Sequence, residues 1–126
     1  MKQFTTKNQK IGEFGENIIK DVFEKDEYVI LCKNYSTQSG EIDLVLEKDG
    51  NIIFIEVKTI VVGKNTRFTP EENFSNIKKE RFLNTVYEFL QKESVSHETN
   101  WFIWLVCVYL DQKRNKYKIR VWKQPF

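Results

Sequence analysis

The sequence has 126 residues, the length of one domain, and 40% of them are apolar. Its 30% of charged residues leave a net charge of only +2. This excludes a disordered chain, which would need fewer apolar residues and a larger net charge, and it also excludes a histone-like protein that wraps nucleic acid through its overall charge. Any contact with nucleic acid must come from local patches of basic residues.

The first predicted elements are a helix and a strand. After a polar N-terminal extension, Met1–Lys10, the apolar residues follow helical spacing from Ile11 to about Lys25, which predicts an amphipathic helix. The extension has no apolar stretch, so it does not resemble a signal peptide. Tyr28–Tyr35 is rich in Val, Ile, Leu and Tyr, which is typical of a strand.

Two strands joined by a tight turn follow. Glu41–Glu47 alternates in polarity, which puts Ile42 and Leu44 on the same face of a strand. Asp-Gly at positions 49–50 predicts a hairpin, because these residue types tolerate the positive φ angles of such a turn. Ile52–Ile60 is an almost continuously apolar run, which predicts a central strand covered on both faces.

The second predicted helix comes after a polar loop, Val61–Phe68. Thr69 is the expected N-cap, Pro70 occupies the first helical position, and Glu72 completes a capping box. Apolar residues at helical spacing then extend this helix to near Glu93.

Two further strands complete the predicted fold. Trp101–Leu110 has the length and the aromatic and β-branched content of a buried strand, and Tyr117–Trp122 pairs with it across a basic turn. The crossover helix between the third and fourth strands predicts that these two strands lie parallel in a mixed sheet. The whole chain, residues 1–126, is therefore expected to form a single α/β domain with elements in the order α-β-β-β-α-β-β.

The cysteines and the longest apolar run bear on location. Cys32 and Cys107 lie in separate apolar runs, which is consistent with buried free thiols in a reducing compartment. The run from Trp101 to Leu110 is too short to span a bilayer, which needs about 20 helical residues. We expect a cytoplasmic protein that does not bind membranes.

Three charged residues interrupt the strand pattern. Glu56 and Lys58 are two apart in a strand and so share a face, and Asp43 is as far before the hairpin turn as Glu56 is after it. Asp43 and Glu56 should therefore be neighbours, and two adjacent carboxylates repel each other unless a proton or a cation lies between them. Oxygen ligands without Cys or His favour Mg²⁺ or Mn²⁺. The alternative is an edge-strand ion pair of Glu56 and Lys58, with Asp43 exposed.

Basic residues cluster in two places. Lys64 and Arg67 lie in the loop directly after the third strand, whereas acidic residues concentrate between Glu13 and Glu27. Such a separation of charge would orient a DNA backbone, and the alternative is a solvated surface. The second cluster comprises Lys113, Arg114, Lys116, Lys118, Arg120 and Lys123.

These motifs resemble a known family. Gly40-Glu41-Ile42-Asp43 followed by Glu56-Val57-Lys58 resembles the PD-(D/E)xK nuclease signature on the second and third strands of a restriction-endonuclease-like αβββαβ core. The ordered set of motifs is most similar to the YraN-like family of predicted endonucleases, distant relatives of archaeal Holliday-junction resolvases. The other matching motifs are Gly12-Glu13-Phe14-Gly15-Glu16, Asn34-Tyr35, Pro70-Glu71-Glu72 and Lys78-Lys79-Glu80-Arg81.

The resemblance implies a function and a set of site residues. It implies a metal-dependent nuclease that hydrolyses phosphodiester bonds in DNA, with branched or structured DNA as a candidate substrate. Asp43, Glu56 and Glu16 would hold Mg²⁺ or Mn²⁺, and Lys58 would assist the nucleophile. Nucleic acid would be bound by Lys64, Arg67, Lys78 and Lys79. By analogy with the resolvases, the resemblance also points to a homodimer.

Two departures from the family pattern keep a second function open. Ile60 stands where the family usually has Arg, and Trp101-Phe102-Ile103 stands where it usually has Arg-Phe-Asp. These positions favour the alternative, a non-catalytic nucleic-acid-binding or structural module that retains the nuclease fold. The intact Asp43, Glu56, Lys58 and Glu16 favour the enzyme.

Overall fold

A computed structural model describes residues 7–63 and 74–123 of the chain. Within these residues, two helices and five strands follow one another in the predicted order. They are α1 Lys7–Lys25, β1 Val29–Ser36, β2 Glu41–Lys48, β3 Asn51–Val61, α2 Asn76–Lys92, β4 Trp101–Asp111 and β5 Lys116–Trp122.

The strands form one mixed sheet in the spatial order β1-β2-β3-β4-β5. β3 and β4 are parallel, and every other neighbouring pair is antiparallel. This confirms the predicted α/β class, because only a crossover such as α2 can bring two consecutive strands side by side in the same direction. The arrangement is that of an αβββαβ core.

The two helices cover opposite faces of the sheet. Ile53, Ile55 and Val57 of β3 pack in one apolar cluster with residues of α1, and Ile52 and Phe54 pack in a second cluster with residues of α2. Because successive side chains of a strand point to opposite faces, a strand between two helices needs apolar residues at almost every position. This explains the nearly continuous apolar run of β3.

Both helices differ from their predicted starts. α1 begins at Lys7, so residues 7–10 of the predicted N-terminal extension are helical. α2 begins at Asn76, and the Ser75 hydroxyl caps it by accepting a hydrogen bond from the backbone N–H of Lys78. The predicted start at residues 69–72 lies outside the described residues. Phe74 and Ser75 precede the helix, so the prediction of one uninterrupted helix from position 70 was wrong.

The predicted alternation of β2 was also wrong at one position. Ile42 packs in the α2-side cluster, whereas Leu44 packs in the α1-side cluster. The ladder between β2 and β3 ends at the pair Leu44–Ile55. On the other side of β2, Asn34 of β1 has a φ of 55° and interrupts the extended backbone there. Ile42 and Leu44 therefore lie on opposite faces although they are two residues apart, and strict alternation stops at Asp43.

The cysteines and the helices bear on the expected location of the protein. Among the described residues neither cysteine forms a disulfide; Cys107 is buried and Cys32 is partly buried. Within residues 7–63 and 74–123, neither helix has the length and apolar character needed to cross a bilayer.

Candidate active site

The hairpin between β2 and β3 sets the geometry of the site. Asp49 and Gly50 have φ angles of 53° and 80°, the two positive values of a type I′ turn, and Lys48 pairs with Asn51 beside them. This turn fixes the register up to the pair Leu44–Ile55, so Asp43 comes next on the side of Glu56.

Asp43 lies where β2 leaves β3. Its Oδ2 atom accepts a hydrogen bond of 2.7 Å from the backbone N–H of Val57. The carboxylate thus takes the place of a backbone acceptor beyond the end of the ladder, which leaves that N–H satisfied and the carboxyl group held in one orientation. This contact lies where the alternation of β2 is interrupted.

Asp43 and Glu56 are joined by a side-chain hydrogen bond, and burial raises the pKa of both. Burial first, and then the charge of Asp43, raise the pKa of Glu56 to about 8, while the nearby Lys58 lowers it. Burial also raises the pKa of Asp43, against the lowering effects of the Val57 N–H and of a hydrogen bond with Glu56. The hydrogen bond therefore has Glu56 as the protonated donor and Asp43 as the acceptor. Asp43 and Glu56 are therefore neighbours across the hairpin, and their role in a metal site stays a prediction.

Glu16 approaches this region from α1. Burial, and next the charge of Asp43, raise the pKa of Glu16 to about 7, and the charge of Lys33 opposes that change. The preceding residue explains how the helix comes so close to β3. A Cβ atom on Gly15 would lie 1.8 Å from Oγ1 of Thr59, so only glycine fits there.

The lysines of the site lie on the α2 side of the sheet. Lys58 shares a face with Glu56 and lowers the pKa of both Glu56 and Asp43. Lys78, an exposed residue in the first turn of α2, lowers that of Glu56 as well. Lysines are unfavourable at the positive end of a helix dipole, so Lys78 and Lys79 are poorly placed for helix stability and well placed to meet an anion.

Two residues that sequence reasoning missed also belong to this region. Lys33 of β1 donates a hydrogen bond of 2.7 Å from Nζ to Oδ1 of Asn17, which follows Glu16 in α1. Thr59 has a buried hydroxyl for which the described residues supply no hydrogen-bond partner. A lysine within an apolar strand segment was a visible signal for Lys33, but nothing in the sequence placed it beside α1.

Gly40 positions the other end of β2. A Cβ atom there would lie 3.0 Å from Oγ1 of Thr85 and 3.3 Å from the carbonyl oxygen of Arg81, both in α2. The neighbouring Ser39 donates a hydrogen bond to Oε1 of Glu88. The turn before β2 is thereby fixed on α2, and Asp43 follows it three residues later.

The donor chemistry fits a hard divalent cation. Asp43 and Glu56 offer carboxylate oxygens at one point, and a cation would replace the proton that now lies between them. Within the part of the chain that the structure describes, no three or more His, Cys, Asp or Glu side chains come together as a metal site. Glu16 interacts with Asp43 through charge, and its place in a three-carboxylate site stays a prediction. Lys64 and Arg67 lie outside the described residues.

The fold and this site define an α/β protein with a pair of acidic residues and a lysine on a central hairpin, where the ladder between β2 and β3 ends. The chain belongs to the Uncharacterised protein family UPF0102, whose model matches residues 15–118. This membership agrees with the YraN-like resemblance of its motifs.

Individual relatives carry the same description. A UPF0102 protein of Caldicellulosiruptor bescii is 32% identical over 119 residues, which cover 94% of this chain and 98% of the relative. A UPF0102 protein of Clostridium perfringens is 32% identical over 120 residues, covering 94% and 95%. One from Syntrophomonas wolfei is 43% identical over 82 residues, covering 60% and 69%. Their names state a family and no activity.

Proposed function

We propose that this protein is a metal-dependent nuclease of the PD-(D/E)xK type that hydrolyses phosphodiester bonds in DNA, with branched or structured DNA as the candidate substrate. The observation that carries the proposal is the hydrogen-bonded pair Asp43–Glu56 with Lys58 beside it. Burying two carboxyl groups in contact is costly for folding, so their presence in a central hairpin favours a role in chemistry.

Each residue has a distinct task in this proposal. Asp43 and Glu56 hold Mg²⁺ or Mn²⁺, which when bound supplies positive charge to the phosphodiester and to the oxygens that attack and leave. The Val57 N–H keeps Asp43 in place for this. Lys58 donates a hydrogen bond to a phosphate oxygen and stabilises the negative charge that develops during hydrolysis. Glu16 completes the acidic side of the site from α1.

A cleavage assay tests the proposal. Linear, flapped and four-way DNA substrates are incubated with Mn²⁺ and either wild type, Glu56→Gln or Glu47→Gln. Glu47 lies on the same hairpin at its other end, opposite Ile52, and serves as the matched control. We expect wild type and Glu47→Gln to cut at least one substrate and Glu56→Gln to lose that activity. Equal cleavage by wild type and Glu56→Gln would remove this site from the reaction.

Calorimetric titration with Mn²⁺ tests the metal separately. Wild type should bind Mn²⁺, and Asp43→Asn should bind it more weakly, because the variant loses one of the two anionic ligands. Equal binding by the two proteins would exclude Asp43 as a ligand.

A second function is favoured by one observation. Among the described residues, no three potential metal ligands are gathered in one group, as noted above. This favours a module that binds nucleic acid without cutting it. In that case wild type would bind the same DNA substrates but would leave all of them intact in Mn²⁺.

A further inference from the structure

Strand register links Lys58 to basic residues at the edge of the sheet. Lys58 of β3 pairs with Cys107 of β4, and Cys107 pairs with Arg120 of β5. Two residues further along the strands, Ile60 pairs with Tyr109, and Tyr109 pairs with Lys118. Residues directly opposite each other share a face of the sheet. Lys58, Arg120 and Lys118 therefore face the same side, and we call these three residues the basic row.

Packing identifies that side as the α2 side. Cys107 lies in the α2-side cluster, whereas Ile119 and Val121 of β5 pack against the α1-side cluster. Lys118 and Arg120 alternate with these two apolar residues, so they point the other way, as Lys58 and Glu56 do. Two interstrand spacings, about 10 Å, separate the backbones of Lys58 and Arg120.

The outer members of the row are available for a ligand. Lys118 and Arg120 are exposed, and among the residues that the structure describes neither forms an ion pair with a carboxylate. The guanidinium group of Arg120 lies 4.7 Å from the ring centroid of Trp122. Such a contact uses the flat face of the guanidinium group and leaves its N–H groups free to bind phosphate in the plane.

We propose that Arg120 and Lys118 bind phosphates on one side of the scissile phosphate, so that the bound nucleic acid reaches the edge of the sheet at β5. This inference rests on the proposed function, which puts the scissile phosphate at Lys58. Charge complementarity favours a phosphodiester backbone as the occupant, because the row offers exposed cations of the kind that neutralise phosphates in a salt-dependent way. The row makes Arg120 and Lys118 substrate-positioning residues, outside the chemical step.

Salt-dependent DNA binding tests the basic row. Fluorescence anisotropy in EDTA, where a metal-dependent nuclease cannot cut, measures affinity for labelled duplex and single-stranded DNA at several salt concentrations. The double variant Lys118→Gln/Arg120→Gln should lower the slope of log affinity against log salt by about 1.8 on duplex, that is about 0.9 for each lost phosphate contact, and by about 1.4 on single strands.

A matched control removes the same charge elsewhere. Lys25 and Lys92 are exposed lysines in the last turns of α1 and α2. Lys92 follows Lys78 by 14 residues, which is about 21 Å along the helix and away from the site. Lys25→Gln/Lys92→Gln should keep the slope of wild type. Thermal unfolding followed by circular dichroism verifies that all the variants are folded.

The outcomes separate the two proposals. An unchanged slope in Lys118→Gln/Arg120→Gln, or an equal drop in the control, overturns the basic row, while cleavage by wild type in Mn²⁺ still supports the nuclease. A reduced slope without any cleavage supports the row and contradicts the nuclease. A wild type that neither binds nor cuts DNA overturns both.

Discussion

The two halves of β3 have the same neighbour on one side and different surroundings on the other. Residues from Ile52 to Ile55 are between 0% and 7% exposed and pair with both β2 and β4. From Glu56 onward β3 still pairs with β4, but its ladder with β2 has ended. The first half of β3 is buried on both faces, whereas the second half has a strand partner on one side only. Because the β2 ladder ends while the β4 ladder continues, charged groups can stand on a strand that is still held by backbone hydrogen bonds.

The packing half should show the largest effect on stability. Phe54 is fully buried, with its ring centroid 5.4 Å from that of Phe89 and 6.0 Å from that of Trp101. Phe54→Ala should lower the free energy of unfolding by about 3–5 kcal/mol, because it removes buried surface and leaves a cavity. Urea denaturation measures this. Val62→Ala, at a half-exposed residue just after β3, should cost far less, and a similar loss in both variants would contradict the division of the strand.

The chemical half should show its largest effect on rate. Lys58→Met should reduce DNA cleavage by about 10²-fold or more, which corresponds to about 2.7 kcal/mol of lost transition-state stabilisation. Its free energy of unfolding and its Mn²⁺ affinity should stay close to those of wild type. Initial rates in Mn²⁺ measure the effect, with Lys92→Met, at the exposed C-terminal end of α2, as the control. A Lys58→Met protein that cuts at the wild-type rate would leave Lys58 without a role in hydrolysis.

The shared proton should make the stability of the metal-free protein depend on pH. Burial and Asp43 raise the pKa of Glu56 to about 8, from an ordinary value of 4.5, so between these values the folded protein keeps a proton that the unfolded chain has lost. Stability from this group is complete below about pH 4.5 and is lost as pH rises towards 8.

Denaturation in EDTA at pH 5 and pH 8 measures that dependence. Wild type should lose roughly 3–4 kcal/mol more than Glu56→Gln, which cannot titrate at this position. Glu98→Gln, at an exposed loop residue, should follow wild type. If Glu56→Gln is as sensitive to pH as wild type, then the proton does not reside on this pair.

The smallest expected effect concerns the close approach of α1 to the second half of β3. Gly15→Ala would force a Cβ atom against the Thr59 side chain and should cost about 1–2 kcal/mol, whereas Gly12→Ala meets nothing within 4 Å. Gly12→Ala should instead stabilise the protein by roughly 0.5–1 kcal/mol through helix propensity. Thermal unfolding of the two variants makes the comparison. Stabilisation by both substitutions would show that α1 does not need this close contact.

Several features of the site followed from local rules. The Asp-Gly turn at positions 49–50 fixes the hairpin register, and simple counting then places Asp43 beside Glu56. The element order followed from local periodicity, and the crossover helix determined that β3 and β4 are parallel. Such features depend on residues close together in sequence, so composition and spacing were sufficient to predict them.

Other predictions failed because distant residues decide them. Ile42 packs on the α2 side because the alternation of β2 is interrupted at Asp43, next to the positive-φ residue Asn34 of a different strand, and periodicity alone could not show this. Ile77 and Phe14 have helical apolar spacing but are 66% and 57% exposed. Spacing gives the face of a helix, but it does not show how far the neighbouring sheet extends beneath it.

The sequence by itself determined the α/β class, the order and type of the elements, and the pairing of Asp43 with Glu56, because each depends on local periodicity or on counting across one turn. Only the tertiary structure decided that Glu16 approaches Asp43, that Lys33 bonds to Asn17 beside Glu16, and that Lys118 and Arg120 lie in line with Lys58. These residues are distant in the chain and meet through sheet register and helix packing. Both depend on the summed burial of many side chains, which no short segment of the sequence specifies.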